Sequence, residues 1–536
     1  MPRSDAPVKE GASSSPSQPD AVALIHWVTL LLLLGSSIAL RLECLGCKPF
    51  WSDECFSVEI AWLDGRNFLH LMWWREANMS LYYVLLGIWL HLGQHLGQHF
   101  GQHFGPGELF IRSLSVWMAA ATLPAIYWLA RMLYDRRVAL IAAALFTFNA
   151  YNIRYAQEAR SYALFMLLAT LSSGFLIAWL RAPSRRNRMG YVLVSILAVY
   201  AHFYALLLVA THWLVFRWLG SPPNPAEELH AARSAQMRRA WITIGIAVSP
   251  LLIFIAKTGA GPIRWVPRPG LHDLLRFFER LAGGSNWVLA TICATAGVAA
   301  IAPVRKRLVA RDQSWETWRC QFLVLWLLFP VGLTVLLSFA RPVFLARYLI
   351  FCLPALLILV AAGLARLRHW WLLAATLSGI LLLSLPGIFF AYGHDFDNER
   401  DAAGAATGFI LDHTQPEDAV IFYLPATRLP YEFFRSLRAG ENTASPGFTA
   451  PLGPEILFPR HRPGLDYRDF TGKPSADFLR AAPSGHPRVW VMLMNNQPAG
   501  STDPTTGMIT QIYAEAFPKV ARWQFPRVEV RLYSKQ

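Results

Sequence analysis

Leu81-Tyr82-Tyr83-Val84-Leu85-Leu86-Gly87-Ile88-Trp89-Leu90-His91-Leu92 reads either as a membrane crossing or as a helix lying flat on the bilayer surface. The orientation of everything after it depends on the choice. About 12 apolar residues fall short of the roughly 20 that a spanning helix needs. The arginines decide the matter. If the segment crosses, the basic loops "LYDRR" from Leu133, "RAPSRRNR" from Arg181 and "RKR" from Arg305 cannot all share the compartment of the N-terminus. If it lies in the interface as a short amphipathic helix, every one of them falls on the cytoplasmic side, as the positive-inside bias requires.

Working outward gives 11 expected crossings, at residues 21–40, 109–133, 138–150, 161–180, 190–201, 203–219, 241–256, 286–304, 320–340, 343–364 and 370–391. The composition agrees. Of 536 residues, 54% are hydrophobic and only 15% charged, which is too apolar for a soluble chain of this length. The net charge of +15 collects in short loops between apolar runs, so it reads as topology and gives no case for nucleic acid. Residues 1–20 are Ser/Pro-rich and polar, a disordered cytoplasmic N-terminus. The run from Ala21 to Leu40 spans without a cleavage site, so it is not a signal peptide.

An odd number of crossings places residues 393–536 outside. This tail carries "AVIFYL", "RVWVMLM" and "RVEVRLY", which read as strands, preceded by a helical "ERDAAGAATGFILDH". It lacks a Gly-rich phosphate loop. The fold class is therefore an α-helical polytopic membrane protein of about 11 transmembrane helices, residues 21–392, with a small C-terminal extracytoplasmic α/β domain. Residues 41–108 form a first outer loop with amphipathic helices, and the destination is a cell membrane, plasma or inner.

With this topology the polar anomalies converge on the outer face: "FWSDECFSVEIAW", "YNIRYAQEAR", "YAHFY", "GPIRWVPRPG" and "ARPVFLARY". Ionisable groups at membrane depth cost several kcal/mol unless paired or solvated, so their presence at span ends argues for a polar cavity. Asp53 and Glu54 supply carboxylates. Arg154, Arg160, Arg264 and Arg347 supply planar forks suited to phosphate oxygens. A carboxylate can take the proton of an attacking hydroxyl or amine while arginines stabilise a departing phosphate. Structural readings compete at several positions: Asp53 and Glu54 suit a helix N-terminus, Arg154 and Glu158 have the spacing of a helix-surface ion pair, and His202 could cap a span.

At these residues the chain resembles the C-type glycosyltransferases (GT-C) of the protein-mannosyltransferase and aminoarabinose-transferase kind, in families 39 and 83. The carriers are the Asp53-Glu54 pair after the first span, "LYY" at Leu81–Tyr83, "YAQEARSYAL" from Tyr155, "YAHFYALLL" from Tyr200 and "ARYLI" from Ala346. The resemblance implies an inverting enzyme that moves a sugar from an undecaprenyl- or dolichyl-phosphate carrier to a protein, lipid or glycan acceptor outside the membrane. Asp53 then corresponds to the catalytic acid/base residue, with Glu54 in support. Glu158 corresponds to the second-loop acid, which organises donor phosphate, acceptor or, in some relatives, a divalent cation such as magnesium or manganese. Arg154, Arg160, Arg264 and Arg347 would grip phosphate, while Tyr82, Tyr155, Gln157, His202 and Tyr348 shape the pocket. One departure stands out: where the family often has His-Pro-Pro before Leu-Tyr-Tyr, this chain has Asn78-Met79-Ser80.

Two further features stay apart from this reading. "HLGQHLGQHFGQHFG" would align His91, His95, His99 and His103 on one helix face, but Gly at every fourth place disfavours a helix and with it a metal site. Cys44, Cys47 and Cys55 cluster in the first outer loop, compatible with an external disulfide but not with zinc spacing. The alternative function is a transporter or flippase of a lipid-linked or anionic solute, for which the halves show no duplicated hydropathy.

Overall fold

The computed structural model describes residues 18–535 apart from 101–106, 221–229, 259–265, 267, 285, 305–313, 395–399, 423–424, 439–452, 459–473 and 495–503. The chain opens with α1 (Gln18–Leu42), and the first loop folds into α2 (Ser52–Ala61), α3 (Gly65–Trp74) and α4 (Ser80–Phe100). Then follow α5 (Glu108–Leu133), α6 (Arg136–Thr147), a short α7 (Ala150–Ala156), α8 (Tyr162–Arg181), α9 (Arg185–Ala201), α10 (Ala205–Leu219) and α11 (His230–Thr258). The bundle closes with α12 (Leu271–Ala282), α13 (Trp287–Ile301), α14 (Trp315–Ala340), a 3-10 turn (Ala346–Cys352) leading into α15 (Leu353–Leu364), and α16 (Trp370–Gly393).

Each expected crossing coincides with a helix. Among the described residues, seven helices are long and apolar enough to cross a bilayer alone, or eight if α12 and α13, bent by 81°, count as one broken span. The chain is thus a multi-pass helical membrane protein. Several expected crossings are short: α6 has 12 residues, roughly 18 Å of rise against a hydrocarbon core of about 30 Å. Its exposed last carbonyls are satisfied from another helix. Arg41, fully buried at the end of α1, donates to Phe146 O at 3.1 Å and Thr147 O at 3.4 Å.

Two expectations need correction. The surface helix expected over Leu81–Leu92 starts at Ser80 and runs 21 residues to Phe100, well into the His/Gly repeat. Helix propensity loses there to packing. A Cβ at Gly87 would lie 2.8 Å from Ala61 O, and one at Gly93 2.4 Å from the Phe110 ring, so the glycines let α4 press against α2 and α5. His91 and His95 lie on this helix, whereas the side chains of His99 and His103 fall outside the described residues. Second, "YNIRYAQEAR" is not an open loop: α7 occupies most of it and is buried along its whole length. Of the clustered cysteines, Cys44 and Cys47 form a disulfide and Cys55 is buried and free.

The C-terminal domain comprises α17 (Ala403–His413), β1 (Ala419–Phe422), α18 (Pro425–Arg438), β2 (Glu455–Phe458), α19 (Ala476–Ala481), β3 (Arg488–Met494), α20 (Pro504–Ala516), β4 (Lys519–Phe525) and β5 (Val528–Ser534). Its five strands form one sheet in the order β2-β1-β3-β5-β4, with β1 parallel to β2 and β3, and β5 antiparallel to β3 and β4. The central parallel pair is buried on both faces, which is why "AVIF" and "VWVMLM" read as continuous apolar runs. The three strands expected from sequence are β1, β3 and β5. The short β2 and the mostly exposed edge strand β4 were not expected.

Candidate active site

Asp53 is the second residue of α2, and its side chain is one-third exposed at 34%. It opens into a cavity of about 610 Å³, a size suited to a small-molecule ligand. Its lining is mixed: Asp53, Arg75, Glu76, Arg160, His202 and Tyr348 supply polar groups, and Leu206, Leu207, Phe254, Ile255 and Leu337 supply apolar surface. Arg160 holds Asp53 twice. Its guanidinium lies 3.4 Å from Asp53 Oδ2 and donates to Asp53 O at 3.2 Å.

Glu76, between α3 and α4, is a second acid in the cavity wall. Burial pushes its carboxyl up to about 7; Arg160 pulls against that rise, Asp53 adds to it, and the Asn78 N–H opposes it. His202 links α9 to α10 and stacks on Phe165, with ring centroids 5.0 Å apart. Burial, reinforced by Arg160 and Arg347, drives it down to about 3, so the ring is neutral. Its Nδ1 accepts from Tyr204 N–H at 3.2 Å, which assigns the proton to Nε2, a donor without a hydrogen-bond partner among the described residues.

The Asn78-Met79-Ser80 corner has a job of its own. Asn78 Oδ1 accepts from Phe203 N–H at 3.0 Å and Ser80 Oγ donates to Tyr200 O at 3.3 Å, clamping the start of α4 to the α9–α10 turn. Met79, between them, takes a left-handed φ of 67°, an uncommon conformation for a side-chain-bearing residue. Met79 and Asn78 both line the cavity.

Behind Asp53 runs a buried charge ladder: Arg112, Glu54, Arg400, Glu158, Arg154. Arg112 grips Glu54 with two nitrogens at 2.8 and 2.7 Å. Arg400 reaches Glu54 at 3.4 Å and Glu158 at 3.0 Å, and Arg154 pairs with Glu158 at 2.6 Å. Glu54 also accepts from Ala159 N–H at 2.9 Å. Burial alone would raise the Glu54 carboxyl. The charge and hydrogen bonds of Arg112, aided by Arg400 and Ala159 N–H, overrule that and hold it at about 2.

The structure therefore separates the residues singled out from sequence. Asp53, Arg160, His202 and Tyr348 share the cavity. Glu54, Arg154 and Glu158 form the ladder behind it. Gln157 donates to Arg41 O and Glu43 O, tying its loop to the end of α1. Tyr82 turns away to hydrogen-bond Ser115, and Tyr83 lines the cavity in its place. Tyr155 packs edge-on against Tyr151 and Tyr162. Arg347 is buried, its guanidinium 5.6 Å from the centre of the Tyr348 ring. Arg264 lies outside the described residues. Sequence reasoning missed Glu76, Arg112 and Arg400. Of these, only Glu76 left a trace, as an acid five residues before the "LYY" that carried the resemblance. Among the described residues, no group of three or more His, Cys, Asp or Glu side chains could hold a metal ion.

No protein-family model matches the sequence, and no curated protein does either. Solved structures do match in shape. ArnT from Cupriavidus metallidurans in the apo state superposes with a TM-score of 0.58 at 13% identity, covering 96% of this chain and 99% of that one. The same protein bound to undecaprenyl phosphate gives 0.51 at 13% identity over 94% and 98% of the two chains. The Archaeoglobus fulgidus oligosaccharyltransferase in the apo form aligns with 88% of this chain and 69% of its own, at 11% identity and a TM-score of 0.48, too loose to argue from. A helical membrane bundle with a small C-terminal sheet, superposable on ArnT over nearly its whole length, shares the fold of that protein.

Proposed function

We propose that this chain is a membrane glycosyltransferase that moves a sugar from a polyprenyl-phosphate carrier to an acceptor on the extracytoplasmic face. The observation that carries the reading is the cavity itself: a carboxylate held by an arginine and a set of apolar side chains line one space inside a membrane bundle. In this reading the apolar lining takes the isoprenoid tail. The phosphate then meets Arg160 and the Nε2–H of His202. The superposition on ArnT bound to undecaprenyl phosphate supports the same class of donor.

The chemistry follows from that placement. An acceptor hydroxyl or amine attacks the anomeric carbon opposite the phosphate while Asp53 takes its proton. The sugar–phosphate bond breaks, and polyprenyl phosphate leaves with the electron pair beside Arg160. The anomeric centre is inverted. Chelation during turnover tests whether a divalent cation takes part.

The test is release of free undecaprenyl phosphate by the purified protein from the polyprenyl-linked lipids of its own membranes. Wild type should release it, and Asp53→Asn should not, while melting like wild type. A transporter or flippase would release none in detergent. Near-normal release from the Asp53→Asn protein would remove Asp53 from the reaction.

A further inference from the structure

The four residues immediately before Asp53 all touch the C-terminal domain or the segment that leads into it. Pro49 O accepts from Arg400 at 2.8 Å. Phe50 stacks on Phe433 of α18, with centroids 5.0 Å apart and planes 14° from parallel. Trp51 lies under the Arg400 guanidinium at 5.5 Å. Ser52 N–H donates to Asp401 Oδ2 at 3.3 Å, and Ser52 Oγ donates to Met494 Sδ at 3.6 Å. The Ser52 bond replaces something missing. Trp51, the residue at the cap position of α2, has no side chain able to satisfy the helix's first N–H groups, and Asp401 does so from 349 residues away.

Arg400 does more than touch the loop. Its two terminal nitrogens hold Glu54, the neighbour of Asp53, and Glu158, two residues before Arg160. Asp53 and Arg160 are an ion pair in the cavity wall. Beside the direct bond from Ala159 N–H to Glu54, one guanidinium therefore braces the segment that carries the base against the segment that carries its arginine. We infer that Arg400 and Asp401 are positioning residues through which the C-terminal domain holds Asp53 in register with Arg160. Neither lines the cavity, and both act through another residue.

This rests on the proposed function, and the experiment separates the two. Full-length Arg400→Ala, Arg400→Lys and Asp401→Ala proteins are assayed beside wild type and Asp53→Asn for release of undecaprenyl phosphate. Activity is normalised to the folded fraction, and donor concentration is varied. A displacement of about 1 Å costs on the order of 100-fold in rate. Arg400→Ala should therefore lose roughly that factor in kcat with KM changed less than about threefold. Lysine should recover part of the loss, because it restores the charge but not the two-pronged grip. Asp401→Ala, which leaves the ladder whole, should lower kcat to a lesser degree, and it serves as the readout if position 400 variants do not fold. If Asp53→Asn abolishes release but the folded Arg400 and Asp401 variants turn over at the wild-type kcat, the inference is wrong and the function stands. If Asp53→Asn is itself active, the function fails first.

Discussion

Adjacent acids on α2 carry opposite expectations, and Glu54→Gln exposes the difference. Glu54 is fully buried, clamped by both nitrogens of Arg112 and by the Ala159 N–H. Its carboxyl is held at about 2 against an ordinary 4.5, a difference of about 2.5 units. At roughly 1.36 kcal/mol per unit this is about 3 kcal/mol of preference for the charged form in the folded state. Breaking a buried ion pair from one side costs about 3 to 5 kcal/mol, so two routes reach the same size. Gln keeps the shape and one acceptor but leaves Arg112 and Arg400 short of negative charge. The sign with pH is fixed. A depressed carboxyl contributes stability that is present above its ordinary 4.5 and lost as pH falls through 2. Thermal unfolding in detergent from pH 7 to pH 2 should show wild type losing its advantage across that acidic window and Glu54→Gln already without it at pH 7. The folded fraction of the mutant should retain transfer at neutral pH within about tenfold, a loss well short of the roughly 100-fold that a displaced base costs. A mutant as stable as wild type yet catalytically dead would show that Glu54 takes part in the chemistry and that the ladder is not what holds it.

The remaining expectations are briefer. Asp53→Asn should lose transfer with little change in unfolding temperature, because the side chain is one-third exposed and Arg160 keeps its hydrogen bond to the Asp53 backbone carbonyl. Glu76, held up to about 7, gains negative charge as pH rises through neutrality. Binding of undecaprenyl phosphate should weaken across that range in wild type, and the inflection should vanish in Glu76→Gln when affinity is measured by titration. Asn78→Ala removes the acceptor for Phe203 N–H and should cost about 1 to 2 kcal/mol, read as a lower melting temperature together with a raised KM for the donor. The loss of kcat expected for Arg400→Ala completes the set.

The fold was largely legible because membrane chains reveal themselves through two strong signals, apolar run length and the side on which arginines collect. Asp53, Arg160, His202 and Tyr348 emerged for a related reason: polar residues at span ends are rare enough to notice. What could not be read is what depends on distance along the chain. Arg400 meets Glu158 across 242 residues and Glu54 across 346, and nothing near Arg400 marks it as other than a linker arginine. Glu54 and Glu158 read as site acids because sequence shows charge but not the direction in which a side chain points. The helical course of the His/Gly repeat as far as Phe100 was missed because propensity counts a glycine's entropy and cannot see the Phe110 ring pressing where a Cβ would stand. Strand β4 was missed because an exposed edge carries no apolar run.

Arg41 makes α1 and α6 a single unit as far as the lipid is concerned. A twelve-residue helix cannot leave its final carbonyls bare in hydrocarbon, and a guanidinium at the end of α1 cannot lie there without acceptors; each is the other's solvent. Arg41 also donates to Ser37 O within α1, so the bonds to α6 complete its set of acceptors. The arginine emerges first and must wait at the membrane surface for carbonyls made about a hundred residues later. A protein trimmed of α1 would lose more than one wall of the bundle: the last carbonyls of α6 would also lose the Arg41 donor.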